Sequence, residues 1–449
     1  MAKNKVRYVC ANCGAESPTW SGKCMQCQEW NTLEEQVRVE QFSTENKSRP
    51  GSTLKPVTIG KAAATDKKRL ATKFSDVDGV LGGGFVSGSV NLIAGQPGIG
   101  KSTLLLQLAH ALSKQCSVLY VSGEESEHQI GLRAERLGAT GKKLQLATST
   151  NANDIAATLS QNTFDIVIVD SVQTLSCNEI SSSAGTVSQI SNSTRILTAA
   201  AKATDTALVL VGHVTKEGSI AGPKVLEHLV DVVLQLEGDR VGGFKVLRAV
   251  KNRYGSTTEA SIFEMKDTGL SPVKNPSAAL LSERQATDGS IILATLEGTR
   301  PLLVEVQALV NPTNYGYPKR TASGIDLNRV NVLIAMLEKR TKLNLKEQDI
   351  FINIVGGIRI SEPAADLAVC MAIATAAKGM QLKQNAVVFG EVGLSGEVRH
   401  VPLIEKRIEE AKKLGFEGTI GPKLKGGNTV RKTHTAVGTV RSALNTFLQ

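Results

Sequence analysis

No apolar run in this chain approaches the roughly 18 residues needed to cross a bilayer. The opening stretch, MAKNKVRYVC, has no apolar segment of the kind that directs export. A cytoplasmic chain is the expectation. The seven cysteines are an odd number, which argues against a disulfide framework. No internal repeat at a period of roughly 20 to 50 residues is visible, so a solenoid is excluded. A more local absence lies at 251–256, KNRYGS, where Lys251 and Arg253 have no acidic neighbour within the hexapeptide. Their counter-charge must come from elsewhere.

At 449 residues the chain is too long for one ordinary core, and two or three domains are expected. A hydrophobic content of 41% fits a soluble globular protein. The formal net charge of +10 favours a polyanionic partner, nucleic acid before membrane. Four of the cysteines stand apart from the rest. CANC and CMQC place Cys10, Cys13, Cys24 and Cys27 as two CxxC knuckles, whose thiolates can converge on one tetrahedral Zn²⁺. Gly14 and Gly22 sit beside the knuckles, where tight turns are wanted. Cys116, Cys177 and Cys370 lie in or near apolar stretches and read as core thiols.

The expected organisation is a zinc knuckle over 1–34 and a flexible basic linker over 35–73, where hydrophobic periodicity gives way to Ser, Thr, Lys and Gly. An α/β domain then covers 74–270 and a second α/β unit 271–449. In the first of these, SVNLIAG, SVLYVSGE, FDIVIVDS, TALVLVGHV and DVVLQLEG read as buried strands. Helix-like segments separate the first four, the pattern of a mostly parallel sheet. In the second, helices are expected around 327–340 and 364–378.

GQPGIGKST, between strand and helix, is a phosphate-binding loop. Gly95, Gln96, Pro97, Gly98, Ile99 and Gly100 form the curl whose amides face phosphate oxygens. Lys101 supplies charge toward the β- and γ-phosphates of ATP, Ser102 can ligate Mg²⁺, and Thr103 adjoins the α-phosphate at the helix N-terminus. Asp170, at the end of FDIVIVDS, can hold the Mg²⁺ shell, while Asp165 reads as a strand-entry residue. SGEES offers Glu124, with Glu125 in reserve, to polarise an attacking water, unless both merely cap the following helix. His213 ends the fourth apolar run and is either a core histidine or a γ-phosphate sensor. Lys216 and Lys224 flank a Gly-rich segment able to grip a DNA backbone. Lys251 and Arg253 lie too far along the sheet to reach their own phosphate loop. Across a subunit boundary they could serve a neighbour's γ-phosphate, the alternative being a solvated turn.

These motifs, with VDSVQT, GPKVLEHLVD and GGIRISEPAAD, together resemble the bacterial RadA/Sms family of recombination and repair ATPases. They run in the family's order over nearly the whole chain. KNRYGS matches the family's own signature, with Tyr254 where Phe is usual; the other departure is Gln96 of the phosphate loop, where many members carry Glu. The resemblance implies a RecA-like ATPase core and a C-terminal domain like that of Lon proteases. It implies a hexameric ring moving on single-stranded DNA and driving branch migration in recombination intermediates, with a RecA-type recombinase and a replicative helicase as candidate partners. By analogy with ring helicases of the DnaB type, it makes Glu124 the catalytic glutamate and Lys251 and Arg253 fingers presented in trans. Lon-like proteases use a serine and a lysine. Here Ala364 stands at the serine's place and Glu405 near the lysine's, with Lys406 beside it and Ser361 three residues early. A module without proteolysis is therefore expected, with Lys383, Arg399, Lys406, Arg407, Lys412 and Lys413 as candidate DNA contacts. An ATP-dependent protease and a scaffold that binds ATP merely to assemble are the competing readings.

Overall fold

The computed structural model describes residues 6–10, 12–17, 19–37, 58, 68–213, 225–238, 244–314, 316–424 and 433–448. Lys216, Lys224 and most of the expected linker lie outside the described residues. Contact density divides the chain into two compact units. One comprises Met1–Leu236, Ala249–Thr257 and Asp267–Gly269; the other comprises Glu237–Arg248, Thr258–Lys266 and Leu270–Gln449. This differs from a single boundary at 270. Val246, Ala260 and Ile262, on an antiparallel strand pair, bury their side chains in the same cluster as Ile291–Ala294, so these strands are counted with the C-terminal core.

In the first unit six parallel strands lie side by side in the order Val232–Gly238, Val90–Gly95, Ala207–His213, Ile166–Asp170, Val118–Ser122 and Leu144–Thr148. Five are apolar runs and match the sequence expectation. The sixth, Leu144–Thr148, does not stand out in the sequence because it is an edge strand, exposed or half-buried along its length, with polar Gln145 and Thr148 breaking the apolar run. The strand that opens the series, Val90–Gly95, ends up between two later ones. Such a switch in strand order opens a crevice at the carboxyl ends, where ligands of open α/β sheets bind.

The second unit is built on a mixed seven-stranded sheet. Its central antiparallel pair is Ser290–Glu297 with Arg300–Pro312. The helix Asp366–Lys378 is buried from Asp366 to Thr375, which is why its sequence is apolar all round rather than amphipathic. Leu327–Thr341 is the second expected helix, with the Asp326 side chain capping its N-terminus.

One candidate DNA contact is corrected here. Arg407 is fully buried, and its guanidinium holds Glu362 at 2.6 Å while donating to Ala294 O and, at 3.1 Å, to Pro402 O. A charge so enclosed and satisfied has no surface to offer a phosphate. Of the others, Lys383, Lys406, Lys412 and Lys413 are exposed, and Arg399 is paired with Glu397. Removing Arg407 would leave Glu362 part-buried without its cation. Arg407→Met should therefore lower unfolding free energy by about 3 kcal/mol or more. Lys412→Ala, on the surface, should change it by less than about 0.5 kcal/mol. Urea titration of both variants measures the difference.

Candidate nucleotide site and zinc centre

The phosphate loop leaves the strand Val90–Gly95 and enters the helix Lys101–Ser113. Its glycines answer two different demands. A side chain on Gly95 would lie 2.6 Å from Leu236 O, so the backbone packs there only without one. Gly100 caps the helix with a φ of 110°, a left-handed conformation that side chains resist. The curl turns Lys101 back under the loop, where it is 4% exposed. Its ammonium donates to Gly95 O at 2.9 Å and Gln96 O at 3.0 Å, and meets His213 Nδ1 at 3.1 Å. All three donors are thus used on neutral acceptors. Burial pulls its pKa down to about 8, against the attraction of Asp170 and Glu124. Ser102 and Thr103, in the first turn of the helix, are half-buried.

Strand register brings the remaining groups to the same edge. His213 pairs with Gly95, and Asp170 with Ser122, two residues before Glu124. His213 then bridges two charges, since its Nε2 lies 3.3 Å from Glu124 Oε1 while Nδ1 faces Lys101. With Lys101 donating to Nδ1, the ring is neutral and its Nε2–H donates to the carboxylate. Glu124 also accepts from Ser171 Oγ. Its pKa is held at about 2, first by the hydrogen bond from His213, then by that from Ser171 and the charge of Lys101, against the opposing pull of burial. Asp170, 6% exposed, accepts from the Tyr120 hydroxyl at 2.7 Å.

Glu125 faces elsewhere and forms an ion pair with Arg133 on the next helix. Neither glutamate caps that helix. Ser126 does, in a capping box with Gln129. Asp165 accepts from Ser117 N at 2.9 Å, as a strand-entry residue should. Tyr120 and Ser171 are not legible as site residues in the sequence, because nothing in a strand pattern tells which hydroxyl will face a carboxylate.

The KNRYGS turn finds its missing anion in Asp231. Arg253 Nη1 lies 3.1 Å from Asp231 Oδ1, and Asp231 Oδ2 accepts from Val90 N at 3.0 Å. Lys251 donates to the carbonyls of Glu227 and, at 2.8 Å, Val230. Neither cation is a simple solvated group, although the Arg253 side chain is still 58% exposed. Arg253 is anchored through Asp231 at the start of the strand whose far end carries the phosphate loop, and Lys251 on the carbonyls just before the neighbouring strand Val232–Gly238. Five residues of strand separate the two ends, about 16 Å.

In the knuckle, Cys10 Sγ lies 3.6 Å from Cys27 Sγ, and Cys13 Sγ 3.6 Å from Cys24 Sγ. All four sulfurs fall within 4.8 Å of one another. A regular tetrahedron with Zn–S of ~2.3 Å has sulfurs about 3.8 Å apart, so the set fits zinc. The two knuckles repeat one backbone motif, Gly14 N to Cys10 O and Gln28 N to Cys24 O, each at 2.9 Å. The left-handed residue of the first is Gly14; in the second it is Gln28 rather than Gly22, which packs against Trp30.

Comparison with known proteins bears on each part. The AAA domain family matches residues 56–219, the rubredoxin metal binding domain residues 8–35, and the family described as subunit ChlI of Mg-chelatase residues 325–425. DNA repair protein RadA of Halalkalibacterium halodurans is 46% identical over 456 residues, covering 100% of both chains. The chain belongs to the RadA family. RadA of Bacillus subtilis is 47% identical over 427 residues, covering 94% of this chain and 93% of its own. RadA of Aquifex aeolicus is 46% identical over 94% of each. The architecture is accordingly that of the family: a four-cysteine zinc knuckle, a RecA-like P-loop ATPase core and a ChlI/Lon-like C-terminal α/β domain. Among the described residues no helix is long and apolar enough to cross a membrane.

Two outcomes follow from this geometry. Because Lys101 sits near pKa 8, raising the pH through that value discharges it in the nucleotide-free protein. ATP affinity should fall as pH rises from 7 to 9, steepening toward about tenfold per unit above pH 8. Equilibrium binding at fixed ionic strength reads this, and a flat profile would contradict it. For the knuckle, Cys24→Ser should cost about one zinc per chain by metal analysis.

Proposed function

We propose that this protein is a DNA-dependent ATPase of recombination and repair. In this reading it works in the cytoplasm as a hexameric ring that moves along single-stranded DNA and promotes branch migration of recombination intermediates. One observation carries the ATPase reading. An ammonium that is 4% exposed, cradled by glycine backbone and bonded only to neutral acceptors, is a buried positive charge awaiting an anion. ATP would replace His213 on Lys101 and draw the ammonium toward its β- and γ-phosphates. Ser102 and Asp170 would hold Mg²⁺, which supplies charge neutralisation at the phosphates.

Glu124, ionised because its pKa is near 2, would orient the attacking water and polarise it. His213, released from Lys101, would report the γ-phosphate to the segment that follows it in the chain. Lys251 and Arg253 would act on the neighbouring subunit's nucleotide. Their anchoring at the end of the parallel strands opposite the phosphate loop supports this, since it puts their own cradle out of reach. The relatives' name, DNA repair protein, supports DNA as the substrate of the motor. Lys216 and Lys224 are the candidate contacts to it, and a RecA-type recombinase and a replicative helicase are the candidate protein partners.

The C-terminal domain is proposed as a non-proteolytic module. Ala364 is 2% exposed and its methyl group cannot attack a carbonyl, while Glu405 and Lys406 point into solvent from a surface helix.

A mixing experiment tests the shared site. Lys101→Ala and Arg253→Ala subunits should each lose most single-strand-stimulated turnover. Co-assembled, they should regain part of it, because some interfaces then draw both intact halves. No recovery in verified mixed assemblies would count against hydrolysis between subunits.

A further inference from the structure

The two carboxylates of the site are each held by a hydroxyl from the other's strand. Tyr120, in Val118–Ser122, donates to Asp170 Oδ2 at 2.7 Å. Ser171, directly after Asp170, donates to Glu124, two residues beyond the end of Tyr120's strand. The strands run parallel, with Tyr120 level with Ile168 and Ser122 level with Asp170. The exchange therefore crosses the same strand pair in both directions.

Neither hydroxyl has water as an alternative partner, since Tyr120 is 2% exposed and Ser171 fully buried. Facing a carboxylate, which can only accept, the Tyr120 hydroxyl is the donor of the pair. Ser122 Oγ fixes the backbone of the same turn, accepting from Glu125 N at 2.9 Å and Glu124 N at 3.3 Å. Thr174 Oγ1 donates to Ser171 O at 2.9 Å and steadies the other side.

We propose that Tyr120 and Ser171 are a reciprocal pair of positioning residues for ATP hydrolysis. Tyr120 occupies Asp170 Oδ2, leaving Oδ1 as the oxygen for the magnesium shell. Ser171 fixes the rotamer of Glu124 through Oε1. The inference rests on the reading above, in which Asp170 serves magnesium and Glu124 serves water. A carboxylate that ligates through one oxygen is commonly oriented by a hydrogen bond on the other, and loss of such a partner weakens metal binding by about 10- to 100-fold. The two hydroxyls thereby divide the labour. One governs metal affinity; the other governs the chemical step.

Tyr120→Phe removes only the hydroxyl and keeps the ring in its packing. Binding of a fluorescent ATP analogue, titrated with Mg²⁺, should show the half-saturating Mg²⁺ concentration rising about tenfold. Affinity without Mg²⁺ should be unchanged. Ser171→Ala should lower kcat by about tenfold or more while KM and the Mg²⁺ titration stay at wild-type values. Asp170→Asn is run alongside. If it shifts the Mg²⁺ titration and Tyr120→Phe does not, the positioning role of Tyr120 is wrong and the reading of Asp170 stands. If neither shifts it, the reading of Asp170 fails and takes this half of the inference with it. Loss of Mg²⁺-free binding in Tyr120→Phe would assign the hydroxyl to the fold and overturn the proposal as well. An unchanged kcat in Ser171→Ala would overturn the second half.

Discussion

A charge buried without a counter-ion is the constraint around which the N-terminal unit is arranged. Lys101 can sit under its loop because three neutral acceptors take its hydrogen bonds and because two carboxylates lie near enough to lessen the cost. That arrangement demands a loop of glycines curled tightly enough to present carbonyls inward. It also demands a histidine at the end of the adjacent strand and an acidic edge one strand further on. Each demand is met by register: Gly95 beside His213, Ser122 beside Asp170. The parallel sheet is thus more than a scaffold, because a slip of one residue in any of these pairings would turn these side chains to the opposite face.

The chain Lys101, His213, Glu124 and Ser171 links the phosphate cradle to the acid that the proposed mechanism assigns to water. A neutral imidazole accepts from the ammonium on one nitrogen and donates to the carboxylate with the other. In the proposed mechanism, ATP that draws Lys101 away frees Nδ1 of the same imidazole that donates to Glu124. Asp231 plays the corresponding part at the other end of the sheet. It ties Arg253 to the first amide of the phosphate-loop strand, which anchors the KNRYGS turn at the end of that strand opposite the loop.

The C-terminal unit uses charge differently. Buried Arg407 and part-buried Glu362 form a pair satisfied by backbone carbonyls, a threonine hydroxyl and a backbone amide, next to the buried Ala364. Lysine and arginine counts alone would put Arg407 on a basic surface. Its neighbours in the helix, Lys406 and Lys412, are on that surface, and the amphipathic period of Ile404–Lys413 separates them: Ile404, Arg407, Ile408 and Ala411 face inward.

Contiguous residues determined a good deal by themselves. The four cysteines, the phosphate loop, five of the six parallel strands and the two long C-terminal helices are all legible from spacing and periodicity, because short-range chain geometry is enough to bring those groups together. The edge strand Leu144–Thr148 is not legible, since a part-exposed strand lacks a buried apolar run. Nor could the sequence choose between Glu124 and Glu125, adjacent and chemically identical until Arg133 claims one and His213 the other. Only the tertiary structure decided the pairings of Tyr120 with Asp170, Arg253 with Asp231 and Arg407 with Glu362, which join residues 50, 22 and 45 positions apart. Such contacts depend on which strands neighbour one another and in what register, and that is fixed by the packing of the whole core rather than by any local pattern.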